Sequence, residues 1–251
     1  MINLHTHTIR CGHATGTDRD YIEAALQAGF TEIGFSDHAP IILKDDLYDF
    51  DFAKAKDYFA SVKALREEYK DRIRIHIGFE VEYHPGHWDQ TVSWFEDLGC
   101  EYVLLGQHMT RYENGRGFYP ATKSDSVYAL DYYIDCCMAA LNTGKVTYLA
   151  HPDLMNFTGD PDVYLNRFEK LIDEMNRLKI AGEYNRLGFY EHRNYPNDVF
   201  WKLAAEKKMK TVIGLDAHQP EVYLDTDTPV RMKETLNALG IQVSEPEIRL
   251  W

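Results

Sequence analysis

The sequence predicts an α/β protein in which seven short strands each lead into a helix, the arrangement of a parallel barrel with seven βα repeats. Three observations carry that expectation. Runs of β-branched and apolar residues recur seven times along 251 residues. Each run ends in a polar tip, most of them bearing histidine. Most runs are followed by a stretch with the spacing of an amphipathic helix. An open, doubly wound sheet is the alternative. No glycine-rich GxGxxG or P-loop follows any strand, so the nucleotide-binding fingerprint is missing.

The elements read in order. The first strand is "INLHTH", Ile2 to His7. The helix after it has Thr17 as cap and Asp20 completing a capping box, with Ile22, Ala25, Leu26 and Gly29 on one face. Gly29 also suits the left-handed turn that ends a helix. The next strands are "EIGFSDH" (Glu32 to His38), "IRIHIGFEVEY" (Ile73 to Tyr83) and "YVLLGQH" (Tyr102 to His108). A helix is expected over "DYYIDCCMAALNTG", then a strand over "TYLAHPD" (Thr147 to Asp153). The helix "VYLNRFEKLIDEMNRLKI", the strand "AGEYN" (Ala181 to Asn185), the helix "NDVFWKLAAEKKMK" and the strand "TVIGLDAH" (Thr211 to His218) complete the pattern.

The whole chain, residues 1–251, is expected to be one domain, large enough to bury a core without disulfides or structural metal. Its formal charge of −13 argues against binding bulk nucleic acid, which needs a basic face. A small phosphorylated substrate is compatible, because a bound metal reverses the local field. Cys11, Cys100, Cys136 and Cys137 form no CxxC pair, and the last two are read as packing residues. With no leader and no apolar run of membrane length, a cytoplasmic protein without a membrane partner is expected. Nothing indicates the oligomeric state.

Barrel enzymes place their chemistry at the C-terminal ends of strands. Those ends carry His5 and His7, Asp37 and His38, Glu80 and Glu82, His108, His151 and Asp153, Glu183 and Asn185, and Asp216 and His218. His13 lies in the first loop. Alternate residues of a strand share a face, so His5 with His7, and Asp216 with His218, can each converge on one point. Imidazole and carboxylate are ligands of zinc, iron and manganese. One zinc takes about four ligands, so this set predicts two or three metals sharing a carboxylate. Asp37 and Asp153 are candidate supports for ligand histidines. Arg186 and Arg193 are candidate phosphate clamps; Glu183 and Asn185 could orient substrate or a histidine lying behind the ligands, with a buried structural pair as the alternative. His76, His84, His87 and His192 fall outside the pattern and are read as structural or rim residues.

These residues resemble the PHP family, named for polymerase and histidinol phosphatase. The resemblance rests on "HTH", "GH", "FSDHAP", "GFEVEY", "GQH", "AHPDL" and "GLDAH", in order across nearly the whole chain. It implies a distorted (β/α)7 barrel with a trinuclear site of zinc, iron or manganese. By the same resemblance, His5, His7, Glu80 and Asp216 would hold one metal. Glu80, His108 and His151 would hold a second, and His13, His38 and His218 a third. The chain is most similar to the histidinol-phosphatase type, which implies hydrolysis of L-histidinol phosphate in histidine biosynthesis by a metal-bridging hydroxide. Glu80, Asp216 and His218 would be central to that chemistry. Other PHP activities are the alternatives: a general phosphomonoesterase, an oligonucleotide nuclease or a phosphotyrosine phosphatase. A non-catalytic metal-binding protein is the alternative of a different class.

Overall fold

The computed structural model describes residues 1–40 and 52–249. The expected single domain extends over residues 41–51 and 250–251, which lie outside the described residues. Seven parallel strands form one sheet: β1 (Ile2–Asn3), β2 (Glu32–Phe35), β3 (Arg74–Val81), β4 (Tyr102–Leu105), β7 (Val146–Leu149), β8 (Ala181–Asn185) and β9 (Thr211–Gly214). Their spatial order follows the chain, β1-β2-β3-β4-β7-β8-β9, as a barrel requires and a doubly wound sheet does not. The first and last strands meet beyond their ladders. Thr6 bridges Ala217, and His7 N–H donates to the Ala217 carbonyl at 2.9 Å. The barrel is therefore drawn shut at its C-terminal mouth.

A pair of strands absent from the sequence reading, β5 (Thr110–Arg111) and β6 (Gly117–Phe118), forms a small antiparallel hairpin after β4. Helices α1 (Asp18–Gln27), α2 (Phe52–Tyr69), α3 (Trp88–Leu98), α4 (Val127–Asn142), α5 (Pro161–Leu178), α6 (Arg186–Glu191), α7 (Asp198–Glu206) and α8 (Asp227–Ala238) complete the described elements. The Thr17–Asp20 capping box is present at α1. Gly29 adopts φ 78°, the left-handed turn expected of it.

Two apolar layers hold the site in place. Ile33, Phe35, Ile75, Ile77 and Phe79 belong to the large cluster that packs sheet against helices. A smaller cluster of Leu4, Tyr102, Leu104, Tyr148, Ala181 and Val212 joins residues of β4, β7, β8 and β9 to the end of β1. Tyr102 stitches this layer by donating its hydroxyl to the carbonyls of Leu4 (2.7 Å) and Phe35 (2.9 Å). The C-terminal segment packs Ile248 against the same cluster, and Val243 bridges Thr211 at the start of β9. No helix among the described residues is long and apolar enough to cross a membrane.

Candidate metal centre

The predicted ligands sit in the loops just after their strands, except Glu80, which is still paired with Leu104 near the end of β3. Two of them, His151 (φ 27°) and Asp216 (φ 49°), adopt the left-handed backbone region. Non-glycine residues held there cost about 1–3 kcal/mol each and persist where the surroundings impose them. The turns after β7 and β9 thus aim both side chains inward at some cost.

Around the first point, His5 Nε2 and His7 Nε2 face each other at 3.3 Å, with Asp216 Oδ1 3.5 and 3.1 Å away. The backs of both rings are held. His5 Nδ1 meets Glu183 Oε1 at 2.8 Å, and His7 Nδ1 meets Asp37 Oδ1 at 3.4 Å. A carboxylate behind Nδ1 keeps the ring proton there and turns the Nε2 lone pair inward. Two Nε2 atoms and a carboxylate oxygen then converge on one point. His5, His7 and Asp216 place their donor atoms within 4.8 Å of one another. Such a set needs a cation to compensate it.

Glu80 is the hub. Its Oε1 lies 2.9 Å from His151 Nε2, 3.4 Å from His5 Nε2 and 3.5 Å from His108 Nε2. Its Oε2 lies 3.2 Å from His38 Nδ1 and 3.5 Å from His7 Nε2. One carboxylate thus touches residues expected at all three metals. His38, Glu80 and His108 form a further donor group. His7 and His38 group with His218, while His13 and His218 group with Cys11. His218 Nε2 is buried without a hydrogen-bond partner, as expected of an atom in a ligand cluster, while His151 turns its Nε2 to Glu80 and His108. The nitrogen and oxygen donors suit zinc, iron or manganese.

Electrostatics follow this geometry. Burial opposes ionisation of Glu80, but the charges of His108 and His5 and hydrogen bonds from His151 and His38 hold its pKa well below the carboxylate range. Asp216 is likewise held low against burial by His5 and His7. Burial pulls His7 down, but Asp216 and Asp37 outweigh it and raise its pKa to about 9. His218 goes the other way. Burial and the neighbouring His7 lower it to about 3, leaving the ring neutral and able to bind metal.

The centre opens into a cleft of about 680 Å³ lined by His7, His13, His38, Glu80, His108, His151, Asp216 and His218. Arg186 and Arg193 line it too, as their proposed contact with phosphate requires. Arg186 is buried, gives Nη2 to Asp225 Oδ2 at 2.5 Å, lies over the Tyr190 ring at 4.2 Å and leaves Nε unpartnered. Arg193 bonds Glu191 at 2.6 Å and the Tyr195 hydroxyl at 3.1 Å.

Of the pair expected to orient substrate or a histidine, Glu183 contacts His5, whereas Asn185 contacts Glu183 and Asp216. They do not line the cleft but lie buried beneath it. Glu183 holds His5 and accepts from His151 N–H at 3.1 Å. Asn185 donates to Glu183 at 2.8 Å and to Asp216 at 3.1 Å, and caps α6 by accepting from Gly188 N–H. Asp37 supports His7 as expected. Asp153 does not hydrogen-bond a ligand histidine, because the chain before α7 claims it. It accepts from Asn197 N–H and Trp201 Nε1, and burial pushes its pKa to about 6. Tyr119 and Tyr195 also line the cleft and escaped the sequence reading. Their one signal was the aromatic-proline pairing in "GFYP" and "NYP".

A family model described as the PHP domain matches residues 3–187. A Deinococcus radiodurans protein named "Probable histidinol-phosphatase" is 30% identical over 234 residues, covering 88% of this chain and 87% of its own. "Histidinol-phosphatase" of Bacillus subtilis is 25% identical, with coverage of 86% and 92%. The crystal structure of a Lactococcus lactis histidinol phosphate phosphatase complexed with zinc, L-histidinol and phosphate superposes with a TM-score of 0.71. That match covers 98% of this chain and 96% of the other at 16% identity, a likeness of fold alone.

Proposed function

The chain belongs to the PHP family, and on that premise we propose that it is a metal-dependent phosphomonoesterase that hydrolyses L-histidinol phosphate to L-histidinol and phosphate. The observation that carries this is the convergence of His5, His7, His13, His38, Glu80, His108, His151, Asp216 and His218 on one arginine-flanked cleft.

Two or three divalent ions, zinc, iron or manganese, are proposed for these ligands. Bound there, such ions lower the pKa of coordinated water and offset charge on phosphate oxygens. The protein's own groups do the rest. Glu183 and Asp37 keep the ring protons of His5 and His7 on Nδ1, so both rings present a lone pair. Glu80 spans the ligand groups and fixes their spacing. Arg186 and Arg193 supply guanidinium groups for a phosphate in the cleft, which a carboxylate-rich floor would otherwise repel. In a cell this activity would serve histidine biosynthesis in the cytoplasm.

The test combines metal content and phosphate release on one sample. The purified protein is expected to carry at least two tightly bound ions per chain. Asp216→Asn is expected to lose most turnover on L-histidinol phosphate. Undiminished turnover in that variant, or a metal-free enzyme of full activity, would contradict the proposal.

A further inference from the structure

Cys11 is the one cysteine that joins the metal-ligand cluster. Cys100 donates its thiol to the Tyr102 carbonyl at 3.2 Å, and Cys136 and Cys137 are buried in α4. Cys11 ends the short 3-10 turn Ile9–Cys11 after β1 and is buried. Its sulfur lies with donor nitrogens of His13 and His218, all three within 4.8 Å of one another.

The two loops that bring them together are tied, since Thr15 N–H donates to the His218 carbonyl at 2.9 Å. Both imidazoles are set for binding. His13 Nδ1 meets the Cys11 carbonyl at 3.0 Å, and His218 Nδ1 meets the Asp216 carbonyl at 3.1 Å. Those bonds fix the ring protons on Nδ1 and leave each Nε2 as a lone-pair donor. His218 Nε2 is buried and has no partner. The rings stack with centroids 4.8 Å apart. Burial and the Asp37 carboxylate push the thiol up to about 12 against backbone N–H groups of His13 and Ala14, so the sulfur is a thiol until a cation displaces its proton.

The geometry points to Cys11 as a thiolate ligand of the ion held by His13 and His218, an inference that rests on the metallophosphatase reading above. On binding, the S–H bond breaks, its proton passes to solvent, and a sulfur lone pair forms the metal–sulfur bond. A soft donor there biases this one position towards zinc or iron and away from manganese, while the other positions keep only nitrogen and oxygen ligands.

Metal-stripped protein is reloaded with cobalt(II) and, separately, with zinc. Wild type is expected to show a sulfur-to-cobalt charge-transfer absorption. Cys11→Ser is expected to lose it and to bind that zinc at least roughly tenfold more weakly, whereas Cys136→Ser keeps both. X-ray absorption of zinc-loaded wild type needs no variant and is expected to show a sulfur neighbour at about 2.3 Å. A full metal complement with no sulfur signal in wild type, or a signal surviving Cys11→Ser, would overturn the Cys11 ligand and leave the phosphatase reading standing. A wild-type protein that binds no metal would overturn both.

Discussion

Glu183 never reaches the cleft, yet it decides which nitrogen of His5 is free to bind metal. Replacing it by Gln keeps the shape and removes the charge that holds the Nδ1 proton. Metal affinity is expected to fall about 10–100-fold, read by titration with a competing chelator, with little change in far-UV circular dichroism. Arg186 acts from the opposite side. Arg186→Gln is expected to lower kcat/KM by roughly ten- to a hundredfold through the loss of about 1.5–3 kcal/mol of charge-assisted bonding, while metal content stays unchanged. The convergence of the candidate ligands was legible in the sequence because strand alternation and strand ends allow few placements for an HxH or a DxH. The roles of Glu183 and Asn185 were only half legible. Alternation puts both on the inner face, but how deep each lies depends on where neighbouring strands stop. Asp225, the partner of Arg186, left no trace in sequence because its loop is distant in the chain.

At the scale of elements, the seven strands fall where the hydrophobic runs predicted, but most end early. The expected strand to His7 pairs in the ladder only through Asn3, and the one to His38 only through Phe35. Side chains join the isolated backbone bonds there: Asp37 accepts from the N–H groups of Thr8 (3.1 Å) and His38 (2.9 Å), while Ser36 N–H donates to the Thr6 carbonyl (2.8 Å) and Ala39 N–H to the Glu80 carbonyl (2.8 Å). Strand ends that carry a site bend out of the sheet to do so. Glycines make room for this. A Cβ on Gly106, just past β4, would collide with the carboxylate of Glu80. Gly106→Ala is expected to displace Glu80 and cost metal content before it costs fold, checked by metal analysis beside thermal melting. His76, read as structural, lies in β3 between Glu32 (3.0 Å) and Glu101 (3.5 Å). Burial disfavours its charge, but hydrogen bonds to Glu101 and Glu32 outweigh burial and raise its pKa. The charged form is therefore the stabilising one. Its contribution is complete below the ordinary value of 6.5 and fades as pH rises through the raised one. The melting-temperature gap between wild type and His76→Gln is expected to shrink over that rise.

Taken as a whole, the molecule gathers buried carboxylates and imidazoles at one end of a barrel whose opposite end is packed with apolar side chains and its own C-terminal segment. Composition and strand count announced the barrel, and the in-order sheet removes the doubly wound alternative. The β5–β6 hairpin was not legible because two-residue strands leave no periodicity to read. Metal bound only by the folded state adds about 2.7 kcal/mol at a hundredfold excess over Kd. Chelation is thus expected to lower the melting temperature by roughly 5–10 °C for a chain of this size. The central claim, that this centre hydrolyses a particular phosphate ester, is tested most directly by one comparison: kcat/KM of the zinc-loaded protein across phosphate esters that include L-histidinol phosphate, a phosphotyrosyl peptide and, as a phosphodiester, a single-stranded oligonucleotide. The account predicts metal-dependent phosphate release with L-histidinol phosphate preferred by at least roughly a hundredfold, about 2.7 kcal/mol of transition-state binding. Equal rates across the panel, or release that survives removal of metal, would contradict it.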